Sequence, residues 1–374
     1  MADPSTVTPI DARLLRLLHH RREHLERGDP VGLPITHTSA YHLPGSPDAA
    51  YTYTRDGNPT WRAVETQISI LEDAPSALFP SGMAAAAAIL FTVLKPGDRL
   101  VLPSDGYFVV RALVQERLVP FGIEAIEWPT ADAANAPIDG AKLVWLETPS
   151  NPGLDVCDIA EIARRTHAAG GLVAVDNTTM TPLLQSPLDL GADVVMVADT
   201  KAMSGHGDVL MGHVASRDQA LMGEILRWRK LSGSIPGPAE AALVHRGIET
   251  LDVRLNRMCD TAELIARRLD DHDRVKTVHF PGKLTGPIRA VAAAQMRRFG
   301  FLIGADLGTA KAADAFLSHC AAIFPATSFG SAHTSGERRA RWGDDVPEGY
   351  VRLSIGCEPA EALWSAFDEA LSGI

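Results

Sequence analysis

GLVAVDNTTMTPLLQSPLDLGADVVMVADTK, residues 171–201, contains two short apolar runs that each stop at charged residues. Leu172–Asp176 and Val194–Ala198 are rich in valine, which suits the pleated, buried surface of a strand. Both runs are near-continuous rather than alternating. That pattern belongs to a parallel sheet covered on both faces. Arg99–Pro103 and Lys142–Glu147 have the same character upstream. The stretches between the first three runs are long enough for crossover connections, and one holds a helix candidate, Asp158–His167. The strand ends are polar: Ser104-Asp105, Glu147-Thr148, Asp176-Asn177 and Asp199-Thr200-Lys201. In open α/β sheets the ligand lies at those carboxyl ends.

Around this centre the chain divides into three parts. Residues 1–60 read as an N-terminal helix over Asp11–Arg27, ended by Gly28 and Pro30, and then an irregular arm rich in Pro, Gly, Thr and Tyr. So long a structureless stretch is either functional or packed on a partner. Residues 61–238 form the large sheet domain. Pro236-Gly237-Pro238 ends it, and a long helix over Ala239–Asp270 leads into a smaller α/β domain, so that 239–374 is the third part.

Composition narrows the function classes. The 374 residues are 46% hydrophobic and 22% charged, ordinary for a globular protein. Lys and Arg number 35 against 46 Asp and Glu, a net charge of −11, which argues against nucleic acid or an anionic membrane as partner. The four cysteines are scattered without a CxxC pair and read as reduced thiols. Met1–Ile10 has no export-signal pattern, and the longest apolar run, Met83–Leu94, is shorter than the roughly 20 residues that cross a bilayer. A cytoplasmic location is expected.

Four features could support chemistry together. Ser81-Gly82-Met83 precedes an alanine-rich helix, and a helix start offers free N–H groups and a positive dipole end to a phosphate, although an ordinary cap has the same look. Lys201 follows buried strand residues and Thr200. Burial lowers a lysine's pKa and makes its amine a nucleophile able to form a Schiff base. Asp176, at a neighbouring strand end, could keep a pyridinium nitrogen protonated, and Tyr107 could stack on a ring. Singly, each has a plain structural reading. Jointly they are the parts that hold pyridoxal 5′-phosphate.

The chain also resembles the Cys/Met-metabolism PLP-dependent enzymes, a group that includes cystathionine γ-lyase, γ-synthase and β-lyase and methionine γ-lyase. The resemblance rests on Tyr53-Thr-Arg55 with Asn58-Pro59-Thr60, Ser81-Gly82-Met83, Glu147 to Pro152, Asp176-Asn177-Thr178, Thr200-Lys201 with Ser204 to Asp208, and Arg352 to Gly356, in that order. It implies the aspartate-aminotransferase-like fold of type I PLP enzymes, with a large, mostly parallel sheet domain and a smaller C-terminal one. It implies that Lys201 joins the cofactor and shuttles protons, that Asp176 pairs with the ring nitrogen, and that Tyr107 stacks and acts as acid or base. Ser81, Gly82, Met83 and Thr200 would bind the phosphate. Tyr53 and Arg55 would reach the phosphate of a neighbouring subunit in a homotetramer of dimers with shared sites. Arg352 would clamp the carboxylate of an amino-acid substrate bidentately, beside Asn151, and Ser328 would position Lys201 or substrate.

The activity so implied is that of a carbon–sulfur lyase, first a cystathionine γ-lyase giving cysteine, 2-oxobutanoate and ammonia. γ-Replacement, β-elimination and methionine γ-elimination are the alternatives, and a PLP-binding protein with little turnover is a further one. Departures from the family pattern are Ala198 for a serine, Ala202 for an aromatic, Phe108-Val109 for small residues, and His333 where a glutamate is common. His20-Arg-Arg-Glu23-His24 mimics a zinc pattern but lies outside the α/β core, so no metal is expected. The basic run Arg338-Arg339-Ala340-Arg341 reads as a solvated loop face.

Overall fold

The computed structural model describes residues 8–374. Seven strands form the large sheet: β1 (Ser76–Phe79), β2 (Arg99–Pro103), β3 (Glu124–Trp128), β4 (Ala141–Glu147), β5 (Leu172–Asp176), β6 (Val194–Val197) and β7 (Gly212–Ala215). Their order is β1-β7-β6-β5-β4-β2-β3. All neighbours are parallel except β7, which runs against both β1 and β6. The four runs read from sequence are four of the five parallel strands. β1 and β7 are only four residues long, and β3 is a half-buried edge strand of mixed character, so none has a long apolar signal.

A second sheet contains β8 (Thr277–His279), β9 (Leu302–Asp306), β10 (Phe324–Pro325), β11 (Ser335–Arg338) and β12 (Tyr350–Ser354), in the order β10-β11-β12-β9-β8. In this sheet β11 and β9 both lie antiparallel to β12.

Two helices differ from expectation. The first, α1, spans Pro9–His19 rather than Asp11–Arg27. Thr8 is its cap, and Asp11 completes a reciprocal capping box from the third helical position. It stops because the His20 ring nitrogen Nδ1 lies 2.7 Å from the Leu17 carbonyl, satisfying one of the acceptors left free at a helix end. Only a short 3-10 turn, Arg22–His24, follows. After the arm, whose one β-bridge joins Ala40 to Tyr53, come α2 (Pro59–Glu72), α3 (Gly82–Val93) and α4 (Ile159–Ala168).

The long helix expected over Ala239–Asp270 is two helices, α5 (Pro238–Glu249) and α6 (Leu251–Asp270), broken at Thr250. The cause is the Lys201 loop. Gly247 packs so tightly on Ser204 that an added Cβ would stand 2.3 Å from the Ser204 carbonyl oxygen. Arg254 then spans the break, donating to the carbonyls of Gly247 (2.7 Å) and Ala202 (2.8 Å). The bend thus fits the helix pair around residues 202–204.

The turn after β6 is anchored from behind as well. His213 on β7 is fully buried between Asp199 (2.7 Å) and Glu72 (3.1 Å), whose side chains are buried too. Burial alone would drive a proton off this imidazole; the two carboxylates outweigh it and raise its pKa to about 10. Asp199 lies two residues before Lys201, so the ion pair ties the lysine's turn to β7.

Asp199→Ala removes the nearer of the two carboxylates and leaves His213 with Glu72 alone, so it should cost about 1.5–3 kcal/mol in urea unfolding at pH 7, the scale of a lost hydrogen bond to a charged group. A protonated histidine whose folded pKa is raised gives its full stabilisation below pH 6.5 and loses it as pH climbs through about 10. The gap between wild type and variant should therefore narrow over that window. A loss under about 1 kcal/mol, or a gap that widens with pH, would contradict the buried charged state.

Candidate active site

The carboxyl ends of β4, β5 and β6 open onto a cavity of about 380 Å³, within the range of small-molecule and cofactor sites. Register brings Glu147 and Asp176 side by side across β4 and β5, and Asp176 opposite Met196 across β5 and β6. The crossover connections therefore deliver Glu147, Asp176 and Lys201 to one rim. Ser81, Gly82, Met83, Tyr107, Asn151, Thr200, Ser328 and Arg352 line the same cavity. Ten of the twelve residues singled out in the sequence are within this group together with Asp176 and Lys201.

Lys201 reaches the cavity from the turn that follows β6, where its N–H donates to the Ala198 carbonyl at 3.0 Å. Its Nζ donates to the Ser328 hydroxyl at 3.2 Å and lies 5.0 Å from the Phe329 ring centre. Burial, with Arg352 acting in the same sense, lowers its pKa to about 8, while Asp176 and Glu337 hold it up. Asp176 is buried, and burial raises its pKa although Lys201 and hydrogen bonding from Thr178 oppose the shift. Glu147 accepts from the Tyr107 N–H at 2.6 Å. Burial and the neighbouring Asp176 push its pKa well upward. Burial also raises the Tyr107 phenol, which keeps its proton at neutral pH.

Opposite this rim is the start of α3. Ser81 caps it by accepting from Ala84 N–H at 3.1 Å. The N–H groups of Gly82 and Met83 belong to the first turn, which has no intrahelical acceptor for them. An added Cβ on Gly82 would stand 2.6 Å from the Ala198 Cβ, so only glycine fits there. The Thr200 hydroxyl is engaged by the Met211 backbone, accepting from its N–H at 3.0 Å.

Arg352 is buried on β12. Its Nη1 donates to Asn151 Oδ1 (2.6 Å), and its Nη2 donates to the Thr327 carbonyl (2.8 Å) and to Glu337 Oε1 (2.8 Å). Tyr53 and Arg55 are outside the cavity; Tyr53 is exposed, and the Arg55 guanidinium lies over its ring at 5.2 Å. Ala202 is buried against Gly330. His333 is exposed against Phe324 and does not line the cavity.

The basic run is a correction. Arg339 is not solvated: it is buried, lines the cavity, and pairs with Glu337 and Asp344, each at 2.6 Å. Arg338 is also paired, with Asp314 and Glu348. A loop of three arginines in four residues looks solvated until its acidic partners are placed. The usable signal was Glu337, which β11 sets directly opposite Arg352 on β12, a favourable cross-strand charge pair. Trp342, Phe329 and Glu147 also line the cavity without having been given a role. His20 faces His245 at 3.3 Å, and among the described residues no group of three His, Cys, Asp or Glu is placed to hold a metal. None of the described helices is long and apolar enough to cross a membrane.

These features fit pyridoxal 5′-phosphate. A buried carboxylate lining the cavity suits a protonated ring nitrogen, an amine of lowered pKa suits an aldehyde, and a glycine-tight helix start suits a phosphate.

In the protein without cofactor, Lys201 should condense with a simple aldehyde along a pH profile centred near about 8, read by mass spectrometry after cyanoborohydride trapping. A midpoint at the ordinary 10.5 would mean that the amine is not desolvated.

The profile described as Cys/Met metabolism PLP-dependent enzyme matches residues 16–372. A Streptomyces coelicolor protein described as an inferred cystathionine gamma-lyase is 48% identical over 330 residues, 86% of this chain and 84% of its own. An L-methionine gamma-lyase of Treponema denticola is 35% identical over 343 residues, covering 87% and 86%. Among solved structures, the cystathionine gamma synthase of Xanthomonas oryzae in complex with aminoacrylate and cysteine aligns with a TM-score of 0.92 at 33% identity, over 96% of this chain and 97% of that one. The chain belongs to the Cys/Met-metabolism PLP-dependent enzymes: its fold is the type I PLP fold and its cofactor is pyridoxal 5′-phosphate.

Proposed function

We propose that this PLP-dependent enzyme is a cystathionine γ-lyase, converting cystathionine and water into cysteine, 2-oxobutanoate and ammonia. The observation that carries the reading is the convergence of Lys201 Nζ, Asp176 and the α3 start on one cavity whose far wall is the buried guanidinium of Arg352. Similarity to an inferred cystathionine gamma-lyase over most of the chain supports the choice of substrate.

When bound, pyridoxal 5′-phosphate supplies an aldehyde that takes an amine and a ring that accepts the electrons released at the substrate's α-carbon. The N–H groups of Gly82 and Met83 would hold its phosphate, Asp176 would pair with its ring nitrogen, and Lys201 would be the amine that holds its aldehyde. Lys201 then has a second task. An amine whose pKa is near about 8 can take a proton from the substrate's α-carbon and return it at neutral pH. Ser328, at 3.2 Å, orients that Nζ. Tyr107 lines the cavity and keeps its phenolic proton, and in this reading it would give one to the departing sulfur. Arg352, held by Asn151, takes the substrate carboxylate.

Tyr53 and Arg55 lie outside their own chain's cavity on an extended arm, which supports a homo-oligomer in which they complete the site of a neighbour. A tetramer built of such dimers is the state we assign.

Incubated with L-cystathionine, the enzyme should release 2-oxobutanoate. Pyruvate instead would make it a β-lyase, and colour without keto acid from cystathionine, methionine or homocysteine would make it a binding protein. Lys201→Ala should abolish release. Arg352→Ala should raise KM roughly 10- to 100-fold, the scale of lost hydrogen bonds to a charged group, with the cofactor still bound.

A further inference from the structure

Arg352 cannot take a substrate carboxylate bidentately in the arrangement seen here. A guanidinium offers two paired donor edges, Nε with Nη2 and Nη1 with Nη2, so both need a proton on Nη2. Nη2 has two protons, and both are given within the chain, to the Thr327 carbonyl and to Glu337 Oε1 at 2.8 Å each. One of these bonds must open when substrate binds.

Glu337 is the partner able to leave. Its carboxylate is fully buried, yet it has other donors at hand: Arg339 Nη1 at 2.6 Å and Trp342 Nε1 at 2.9 Å, with Arg341 at 3.6 Å. Arg339 is fixed on its other side by Asp344, donating from Nε at 2.7 Å. If Glu337 releases Arg352, its charge is still paired and no buried carboxylate is stranded. Thr327 meets Arg352 through its backbone carbonyl, which cannot move without the chain. Arg352 itself stays in place through Asn151 and Thr327.

We propose that Glu337 is the resident occupant of the carboxylate-binding edge of Arg352, displaced by the substrate carboxylate and then held by Arg339 and Trp342. Glu337 and Arg339 are thus positioning residues that act through Arg352. Before substrate arrives, Glu337 bridges two guanidinium groups, Arg352 and Arg339, and with Asp344 on Arg339 the charges balance. It also sets a threshold: a ligand must outcompete an internal carboxylate, so a compound offering a carboxylate alone binds weakly, and one that also reacts through its amine binds well. The inference rests on the reading that Arg352 takes the substrate carboxylate.

The test uses butanoate, which has the carboxylate and no amine, titrated calorimetrically into the cofactor-loaded enzyme. Glu337→Gln should bind butanoate about fivefold tighter than wild type, the scale of one charge-assisted hydrogen bond. Arg339→Gln should bind it about fivefold more weakly, because Glu337 then loses its nearest alternative cation and, besides Arg352, has only Trp342 and the more distant Arg341. Opposite signs at two adjoining buried residues are not what general loosening of the site would produce. Unchanged or weaker binding in Glu337→Gln overturns the proposal. If that variant does not fold, Arg339→Gln decides, and unchanged or tighter binding there overturns it. Arg352→Ala separates the two levels: if it binds butanoate as wild type does, the carboxylate reading of Arg352 itself fails.

Discussion

Keeping an amine out of water is the constraint on which the site depends. Lys201 sits at the carboxyl rim of a parallel sheet, and burial brings its pKa down toward neutrality. A charge so placed must be balanced, and the balance comes from four side chains on three elements. Asp176 on β5 and Glu337 on β11 favour the charged amine; Arg352 on β12 and Arg339 just beyond β11 oppose it. The amine is therefore poised between a nucleophile and a proton carrier, which the chemistry of an amino-acid lyase requires of one group in turn.

The scaffold holds this poise from behind. The turn containing Lys201 is tied to β7 through Asp199 and His213, wrapped by the bend between α5 and α6, and closed over by Ser328 and Phe329. Burying three ionisable groups at the Asp199–His213–Glu72 site is costly unless all are satisfied. Such a site narrows the conformations open to the neighbouring turn.

Much of this was legible in the chain itself. Continuous valine-rich runs ending in charge mark the parallel strands, and Ser81-Gly82, Asp176 and Lys201, each ordinary alone, stand out as a set because together they are the parts that hold pyridoxal 5′-phosphate. What was hidden depends on contacts distant in sequence. Arg339 looks like part of a solvated basic loop because Glu337 and Asp344 become its partners only when β11 folds onto β12. The break at Thr250 is equally invisible, since helix propensity continues through it and only the close approach of Gly247 to Ser204 demands it. The end of α1 has a different cause: a ring nitrogen of His20 folds back on the carbonyl of Leu17 three residues earlier, a local contact that hydrophobic periodicity does not encode.

The account stands or falls on which amine holds the cofactor. Borohydride reduction of the loaded enzyme, followed by proteolysis and peptide mass mapping, locates the pyridoxyl group directly. It should be found on the peptide containing Lys201 and nowhere else. A pyridoxyl mass on another of the chain's lysines, or on none, would contradict the assignment of this cavity as the active site.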